Sequence, residues 1–177
     1  DMGKHENVKL VKNTVNDGIY IKKTLKNYNI EIYKILKNRQ IKGIPKVYEI
    51  IEDEKELIII EEYIHGLTLD KKYNKTDVET VKKIMEQLCN ILKQLHNMNP
   101  PIIHRDIKPT NIIVSNDDVV YLVDFNISRE YDENQSVDTV IMGTQGYASP
   151  EQCGFAQTDC RSDIYSIGML MKNILMV

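Results

Sequence analysis

The chain has 177 residues, of which 28% are charged and 42% are hydrophobic, and its formal net charge is −3. This composition excludes a largely disordered chain, and the small negative charge argues against a nucleic-acid-binding protein. No apolar stretch reaches the roughly 18 residues of a membrane-spanning helix, and the three widely spaced cysteines form neither a disulfide framework nor a zinc motif, so we expect a cytoplasmic location and no membrane segment in this chain.

The first 64 residues favour β-structure with one short helix. Apolar and polar residues alternate on both sides of the turn Asn16-Asp17-Gly18, which predicts a β-hairpin. The run Leu57-Ile58-Ile59-Ile60 is apolar at every position, as expected of a strand that is buried on both faces. The predicted elements are strands over 8–12, 19–25, 46–51 and 57–60 and a helix over 28–39.

The remaining residues favour helices around a second hairpin. Thr76 and Glu79 form a capping box, with a hydroxyl at the cap and a carboxylate three residues later, and apolar residues then recur on one helical face as far as Leu95. Short strands are predicted over 112–114 and 119–123, and a last helix over 164–175. This order predicts an α+β fold in two lobes, a small β-rich lobe over 1–64 that ends in a hinge and a larger, mainly helical lobe over 65–177.

Residues that can carry chemistry are concentrated around the second hairpin. Asp106, Lys108 and Asn111 place a carboxylate, an amine and an amide within six residues. Asp124 follows the second strand of the hairpin, so that it lies at the same end as Asn111. Two oxygen ligands at a strand end suit Mg²⁺, while a free carboxylate can accept a proton and a lysine can balance phosphate charge. Each residue alone could equally be an ordinary polar residue of a loop, but that explanation is much weaker for the whole set together.

These residues resemble the motifs of Hanks-type serine/threonine protein kinases. His104-Arg105-Asp106-Ile107-Lys108-Pro109-Thr110-Asn111 is similar to the catalytic loop of the family, and Asp124-Phe125-Asn126 is similar to its D-F-G motif. Residues 143–151 resemble the end of an activation segment, and residues 163–168 resemble the start of the central helix of the large lobe. The residues of these later motifs are typical of bacterial members of the family.

The resemblance implies a protein-kinase-like fold that phosphorylates serine or threonine hydroxyls of protein substrates, including autophosphorylation, with ATP and Mg²⁺. It implies that Asp106 accepts or orients the substrate hydroxyl, that Lys108 stabilises the transferring phosphoryl group and that Thr144 braces the catalytic loop. Asn111 and Asp124 are the implied Mg²⁺ ligands. The domain of the family is longer than this chain, so we also expect the fold to be truncated at both ends and the activity of these residues alone to be in doubt.

The nucleotide is expected to bind against the small lobe. Strand alternation places Lys23 on the apolar face of its strand, where an unpaired lysine would be costly, and the resemblance also implies that Lys23 contacts phosphate. Glu31, the only acid of the predicted helix, is the predicted partner of Lys23, with an unpaired surface glutamate as the alternative. The other predicted contacts are Gly3 in the phosphate loop and the backbone of Glu62 and Ile64 at the hinge. Val8, Ile21 and Ile113 are expected around the adenine, with plain core packing as an equal alternative.

Three departures from the family pattern leave other functions open. Glu61 occupies a position that is usually apolar or threonine, and a half-buried carboxylate there needs a hydrogen bond or an ion pair. Asn126 replaces a glycine and is interpreted as tolerating a left-handed backbone, and the glycine loop matches poorly. A pseudokinase or a nucleotide-binding scaffold is therefore the alternative function. A small-molecule kinase is disfavoured by the stretch 143–151.

Overall fold

The computed structural model of the chain describes residues 7–53, 55–73, 77–132, 143–154 and 156–175. The strands are β1 (Val8–Lys12), β2 (Ile19–Leu25), β3 (Val47–Glu52), β4 (Leu57–Glu62), β5 (Gly66–Thr68), β6 (Ile102–Ile103), β7 (Ile112–Ser115), β8 (Val120–Leu122) and β9 (Arg129–Glu130). The helices are α1 (Ile30–Asn38), α2 (Leu69–Lys72), α3 (Val78–His96) and α4 (Cys160–Leu175).

The first four strands form one antiparallel sheet in the order β1-β2-β4-β3. In this register Ile21 lies opposite Leu10 on one side and Glu61 on the other. Leu57 and Ile59 of β4 are completely buried, whereas Ile58 and Ile60 are only half-buried. The prediction that β4 is buried on both faces is therefore wrong, because the face of Ile60 also carries its charged neighbour Lys22.

Helix α1 packs against this sheet through one apolar face. Asn29 caps the helix by accepting a hydrogen bond from the backbone N–H of Glu31, and the buried side chains are Ile32, Tyr33 and Leu36. Glu31 lies outside that face and is exposed. The face of α1 that meets the rest of the molecule therefore presents apolar groups and one tyrosine hydroxyl.

Helix α3 is the long amphipathic helix predicted from the sequence. It begins at Val78 and is capped by Asp77, whose carboxylate accepts a hydrogen bond from the N–H of Thr80 at 2.9 Å. The cap is thus one residue later than the predicted Thr76, which lies outside the described residues. The buried face is the one predicted, and its members are Val81, Ile84, Met85, Leu88, Ile91, Leu92 and Leu95.

A second sheet, in the order β5-β7-β8, supplies the hairpin that the sequence predicts. The N–H of Val123 donates to the carbonyl of Asn111 at 2.9 Å, so the two ends of the hairpin stay together. The α+β, two-lobed fold class is confirmed, while the division of the chain between residues 64 and 65 stays a prediction. None of the helices within the described ranges has the length and apolar character needed to cross a bilayer.

Candidate active site

A single cleft contains most of the residues that the sequence predicts for the site. It lies between the first sheet and the β7–β8 hairpin, and the predicted residues that line it are Val8, Ile21, Lys23, Glu62, Ile64, Asp106, Lys108, Asn111, Ile113, Asp124 and Thr144. Gly3 lies outside the described residues. Glu31 is not among the lining residues, and its position is considered below.

The carboxylate of Asp106 is held by three side chains. Its Oδ1 accepts a hydrogen bond from Thr144 Oγ1 at 2.7 Å, and its Oδ2 accepts from Asn111 Nδ2 at 2.8 Å and from Lys108 Nζ at 2.7 Å. Lys108 Nζ also donates to Thr144 Oγ1 at 2.9 Å. The four side chains therefore form one connected network, and only 13% of the Asp106 side chain is exposed. Charge-assisted hydrogen bonds of this kind fix a carboxylate in one orientation.

The backbone of the loop before Asp106 is anchored by Asp163 at the start of α4. Asp163 is completely buried; its Oδ1 accepts from the N–H of Arg105 and its Oδ2 from the N–H of His104, both at 2.9 Å. Arg105 has a φ of 70°, a left-handed conformation that non-glycine residues rarely adopt. The surrounding contacts must therefore hold it there.

Asp163 is a site residue whose role the sequence reasoning missed. His96 of α3 places Nε2 2.8 Å from Asp163 Oδ2, so the same carboxylate also joins α3 to α4. An acid in the first turn of a helix is ordinarily explained by the helix dipole. That explanation does not predict that the Asp163 carboxylate accepts hydrogen bonds from two backbone N–H groups of a neighbouring loop.

His104 is a structural residue of this loop, as the sequence interpretation held. It is completely buried, its Nε2 lies 3.2 Å from the carbonyl of Val123, and its Nδ1 accepts from the N–H of Asp106 at 3.3 Å. Its ring meets the ring of Phe125 edge-on, with centroids 4.7 Å apart. Burial lowers the pKa of the imidazole, outweighing the nearby carboxylates. A neutral ring that donates from Nε2 and accepts at Nδ1 satisfies both contacts.

Asp124 and Asn111 have the free oxygen atoms that a Mg²⁺ ion requires. Asp124 Oδ1 is buried without a hydrogen-bond partner, and its backbone φ is 70°. Asn111 uses its Nδ2 for both the carbonyl and the carboxylate of Asp106, which leaves Oδ1 as its remaining polar atom. No group of three His, Cys, Asp or Glu side chains converges within the described ranges. Mg²⁺ needs no such group, because it is bound by one or two protein oxygens together with water and phosphate.

The phosphate-binding candidate Lys23 is paired with Glu61 and not with Glu31. Lys23 Nζ lies 2.6 Å from Glu61 Oε1, and about 10% or less of each side chain is exposed. Glu31 instead accepts from Lys34 at 2.7 Å, with 59% of its side chain exposed. The predicted Lys23–Glu31 pair is therefore wrong, because the buried face of α1 excludes Glu31. The prediction that Glu61 needs an ion pair or a hydrogen bond is confirmed.

Tyr33 joins α1 to the segment that follows Asp124. Its hydroxyl donates to Asn126 Oδ1 at 2.7 Å, and only 1% of the residue is exposed. Burial, followed by the charges of Glu61 and Asp124, raises the pKa of this tyrosine well above its ordinary value, so the hydroxyl keeps its proton. The expectation of a left-handed backbone at Asn126 is wrong: the positive φ belongs to Asp124, and Asn126 contributes a side-chain acceptor.

The hinge residues lie at the other end of the cleft. Ile64 is buried, and the N–H of Glu62 donates to the carbonyl of Lys46 at 2.8 Å. The carboxylate of Glu62 accepts in return from the N–H of Lys46 at 3.1 Å. Since the Glu62 N–H is used within the protein, an adenine contact at this residue would use the carbonyl.

Comparison with known proteins agrees with this geometry. The family described as "Protein kinase domain" matches residues 2–177. A probable serine/threonine-protein kinase of Clostridium acetobutylicum is 35% identical over 131 residues, which cover 73% of this chain and 20% of that protein. Serine/threonine-protein kinase A of Synechocystis is 36% identical over 137 residues, which cover 70% of this chain and 26% of that protein. Serine/threonine-protein kinase PknB of Mycobacterium tuberculosis is 36% identical over 121 residues, which cover 66% and 19%. The chain thus spans about a fifth to a quarter of the length of these curated relatives.

Proposed function

This chain belongs to the protein kinase family, and we propose on that premise that it transfers the terminal phosphoryl group of ATP to serine or threonine hydroxyls of proteins. The observation that carries the proposal is the network around Asp106, in which Thr144, Asn111 and Lys108 fix the carboxylate. This network opens onto the same cleft as Lys23 and Asp124. The Asp106 carboxylate, the Lys23 ammonium group and the unpaired Oδ1 of Asp124 therefore face the same cleft.

In the proposed mechanism Asp106 receives the substrate hydroxyl. The carboxylate is oriented before substrate arrives, and it accepts the hydroxyl proton as the hydroxyl oxygen bonds to the γ-phosphorus and the bond from that phosphorus to the leaving ADP breaks. Lys108 lies 2.7 Å from this carboxylate, and its ammonium group counters the negative charge of the transferring phosphoryl group. Thr144 keeps both groups in register, because its hydroxyl donates to Asp106 and accepts from Lys108.

At the nucleotide side of the cleft, Lys23 would bind phosphate oxygens of ATP, and Asp124 and Asn111 would hold Mg²⁺. A Mg²⁺ ion bound there would neutralise charge on the phosphate oxygens. The unpartnered Oδ1 of Asp124 supports this assignment, since a buried carboxylate oxygen without a donor costs about 1–3 kcal/mol unless a ligand satisfies it. Val8, Ile21 and Ile113 supply the apolar surfaces for the adenine, with the Glu62 carbonyl and Ile64 at the hinge.

The partner is a protein with an exposed serine or threonine, and the chain itself is a candidate substrate through autophosphorylation. Lys108 supports serine/threonine specificity, because a lysine two residues after the catalytic aspartate is the pattern of those kinases. Three free cysteines, together with the need for ATP, support a reducing, cytoplasmic setting for the reaction.

The variant Asp106→Asn tests the proposed function. Asparagine keeps the shape of the side chain but cannot accept the proton, so we expect phosphotransfer from labelled ATP to a generic protein substrate to fall by about 10²- to 10⁴-fold. We expect ATP to bind with an affinity within a few-fold of the wild-type value, because Asp106 lies away from the adenine end of the cleft. Radiolabel incorporation and calorimetry measure the two quantities.

Asp117→Asn is the matched control, since Asp117 is exposed in the turn between β7 and β8. It should transfer phosphate at the wild-type rate. If wild type and Asp106→Asn incorporate equal label, the proposed reaction is wrong. If both bind ATP and neither transfers phosphate, the chain acts as a pseudokinase or scaffold.

A further inference from the structure

The lysine that faces the nucleotide is positioned by a strand of its own sheet. Lys23 of β2 lies opposite Ile59 of β4, and Ile21 lies opposite Glu61. Glu61 is therefore the diagonal neighbour of Lys23 on the same face, at a separation that long side chains bridge. The two charged groups meet at 2.6 Å. Because β2 and β4 are hydrogen-bonded neighbours at the centre of a four-stranded sheet, this geometry is rigid.

Helix α1 offers no carboxylate for this lysine. Its only acid, Glu31, is 59% exposed at the side chain and is bonded to Lys34 one turn later. The residue of α1 that lies near Glu61 and Asp124 is Tyr33, whose hydroxyl is used by Asn126. The position of α1 therefore does not determine where the ammonium group of Lys23 points.

Because Lys23 and Glu61 are both buried, each side chain needs the opposite charge of the other. Each residue is 7% exposed overall, so a single charge left in this place would be poorly solvated. The pair has a net charge of zero and leaves hydrogens of the lysine ammonium for further acceptors, since an ammonium has three donors. Phosphate oxygens in the adjoining cleft are acceptors of that kind.

We propose that Glu61 is the positioning residue for Lys23 in nucleotide binding, and that Glu31 has no part in it. The proposal rests on the proposed function, in which Lys23 binds the phosphates of ATP. Glu61 acts through Lys23 and does not touch the nucleotide phosphates itself. A lysine fixed by the sheet in this way stays in place for ATP whatever the position of α1.

The test compares Glu61→Gln with Glu31→Gln in the protein, using Mg²⁺ and ATP. We measure the Kd of ATP by calorimetry, and the KM for ATP and kcat of phosphotransfer to a generic protein substrate. Glu61→Gln should lose at least tenfold in kcat/KM for ATP, because the ammonium group is no longer held by a negative charge. Glu61→Asp should recover part of the loss, and Glu31→Gln should remain within twofold of wild type.

A double-mutant cycle separates positioning from general structural damage. If Glu61 acts through Lys23, then Glu61→Gln should cause no further loss of kcat/KM in a Lys23→Gln background. This double variant also removes both buried charges, so its folded fraction should exceed that of either single variant in thermal unfolding. Should Glu61→Gln fail to fold, Glu61→Asp takes its place, with an expected loss of several-fold and a thermal midpoint near that of wild type.

Several outcomes would overturn the proposal while leaving the proposed function intact. These are wild-type kinetics in Glu61→Gln or in its replacement, a tenfold loss in Glu31→Gln, and fully additive losses in the double variant. Failure of the proposed function looks different, because wild type itself would then transfer no phosphate and would match Asp106→Asn.

Discussion

At the scale of single residues, the Thr144 hydroxyl connects the two groups proposed for catalysis. These are Asp106, the proton acceptor, and Lys108, the cation. The hydroxyl lies 2.7 Å from Asp106 Oδ1 and 2.9 Å from Lys108 Nζ. Asn111, the other side chain that donates to Asp106, has no hydrogen bond to Lys108 among the described contacts. Thr144 also belongs to the segment after the undescribed residues 133–142, so it ties that segment to the catalytic loop.

Thr144→Val should lower kcat by about 10- to 100-fold. A hydrogen bond to a charged group contributes about 1.5–3 kcal/mol, and each 1.4 kcal/mol of lost transition-state stabilisation is a factor of ten in rate. Thr144→Ser keeps the hydroxyl and should stay within a few-fold of wild type. Steady-state kinetics with saturating ATP measure the effect. Thr14→Val, in the exposed β1–β2 turn, is the control, and equal kcat in Thr144→Val and Thr14→Val would contradict the role of Thr144.

Residue types and strand alternation predicted much of this site. Alternation placed Lys23 on the inner face of β2, and the hairpin brought Asn111 next to Asp124. The partner of Lys23 was wrongly predicted because Glu31 was chosen as the only acid of α1, although it lies outside the buried face of the helix and the acid that pairs with Lys23 belongs to β4. Asp163 was missed for a related reason, since its two backbone donors come from a loop 58 and 59 residues away in the chain.

At the scale of elements, helix α1 and the segment after β8 are joined by a partly buried hydrogen bond between two side chains. Tyr33 and Asn126 are 93 residues apart in sequence, and their side chains meet at 2.7 Å. This bond lies beside Asp124, whose backbone has the unfavourable φ of 70°. The contact therefore helps to hold the Mg²⁺-binding candidate in a conformation that the backbone alone would not favour.

Tyr33→Phe removes this bond without removing the ring. The free energy of unfolding should fall by about 0.5–1.5 kcal/mol, the usual contribution of one hydrogen bond, and the affinity for Mg²⁺ with ATP should weaken with it. Chemical denaturation and calorimetry measure the two effects. In a cycle with Asn126→Ala the two losses should be non-additive.

The exposed Tyr165 of α4 gives the matched control, Tyr165→Phe. If Tyr33→Phe has the stability and Mg²⁺–ATP affinity of this control, α1 does not support Asp124.

Among the elements named above, sequence prediction missed β5, β6, β9 and α2, which have two to four residues each, whereas the three-residue strand β8 was predicted. Elements such as β6 and α2 are too short to show a periodicity, and β6 pairs with β9, which is also only two residues long.

At the scale of the whole molecule, the catalytic loop is the point where separate elements meet. Asp163 of α4 accepts from the N–H groups of His104 and Arg105. His96 of α3 contacts this carboxylate, and Phe125, after β8, packs against the ring of His104. The stability of the fold and the geometry of the site therefore depend on the same buried contacts. A substitution that charges or removes one of these groups should change the free energy of global unfolding.

The pH dependence of unfolding follows from His104. Burial lowers the pKa of its imidazole in the folded protein, although Asp163, Asp106 and Asp124 act in the opposite direction. In the unfolded chain the pKa is about 6.5. Between these two pKa values the unfolded chain binds more protons than the folded chain, so the free energy of unfolding rises with pH. The contribution of neutral His104 is thus complete above about pH 6.5 and is lost as the pH falls towards the folded pKa.

Thermal unfolding of wild type, His104→Gln and His65→Gln between about pH 5 and pH 8 tests this dependence. Glutamine does not titrate, so His104→Gln should be less stable than wild type at pH 8 but should lose less stability on acidification. His65 is exposed, and His65→Gln is the control for the loss of a histidine. An equal decrease in all three proteins would assign the acid sensitivity to groups other than His104. Phosphotransfer should follow the same decrease, because the buried ring accepts from the backbone N–H of Asp106, and a second proton, at Nδ1, would turn this acceptor into a donor.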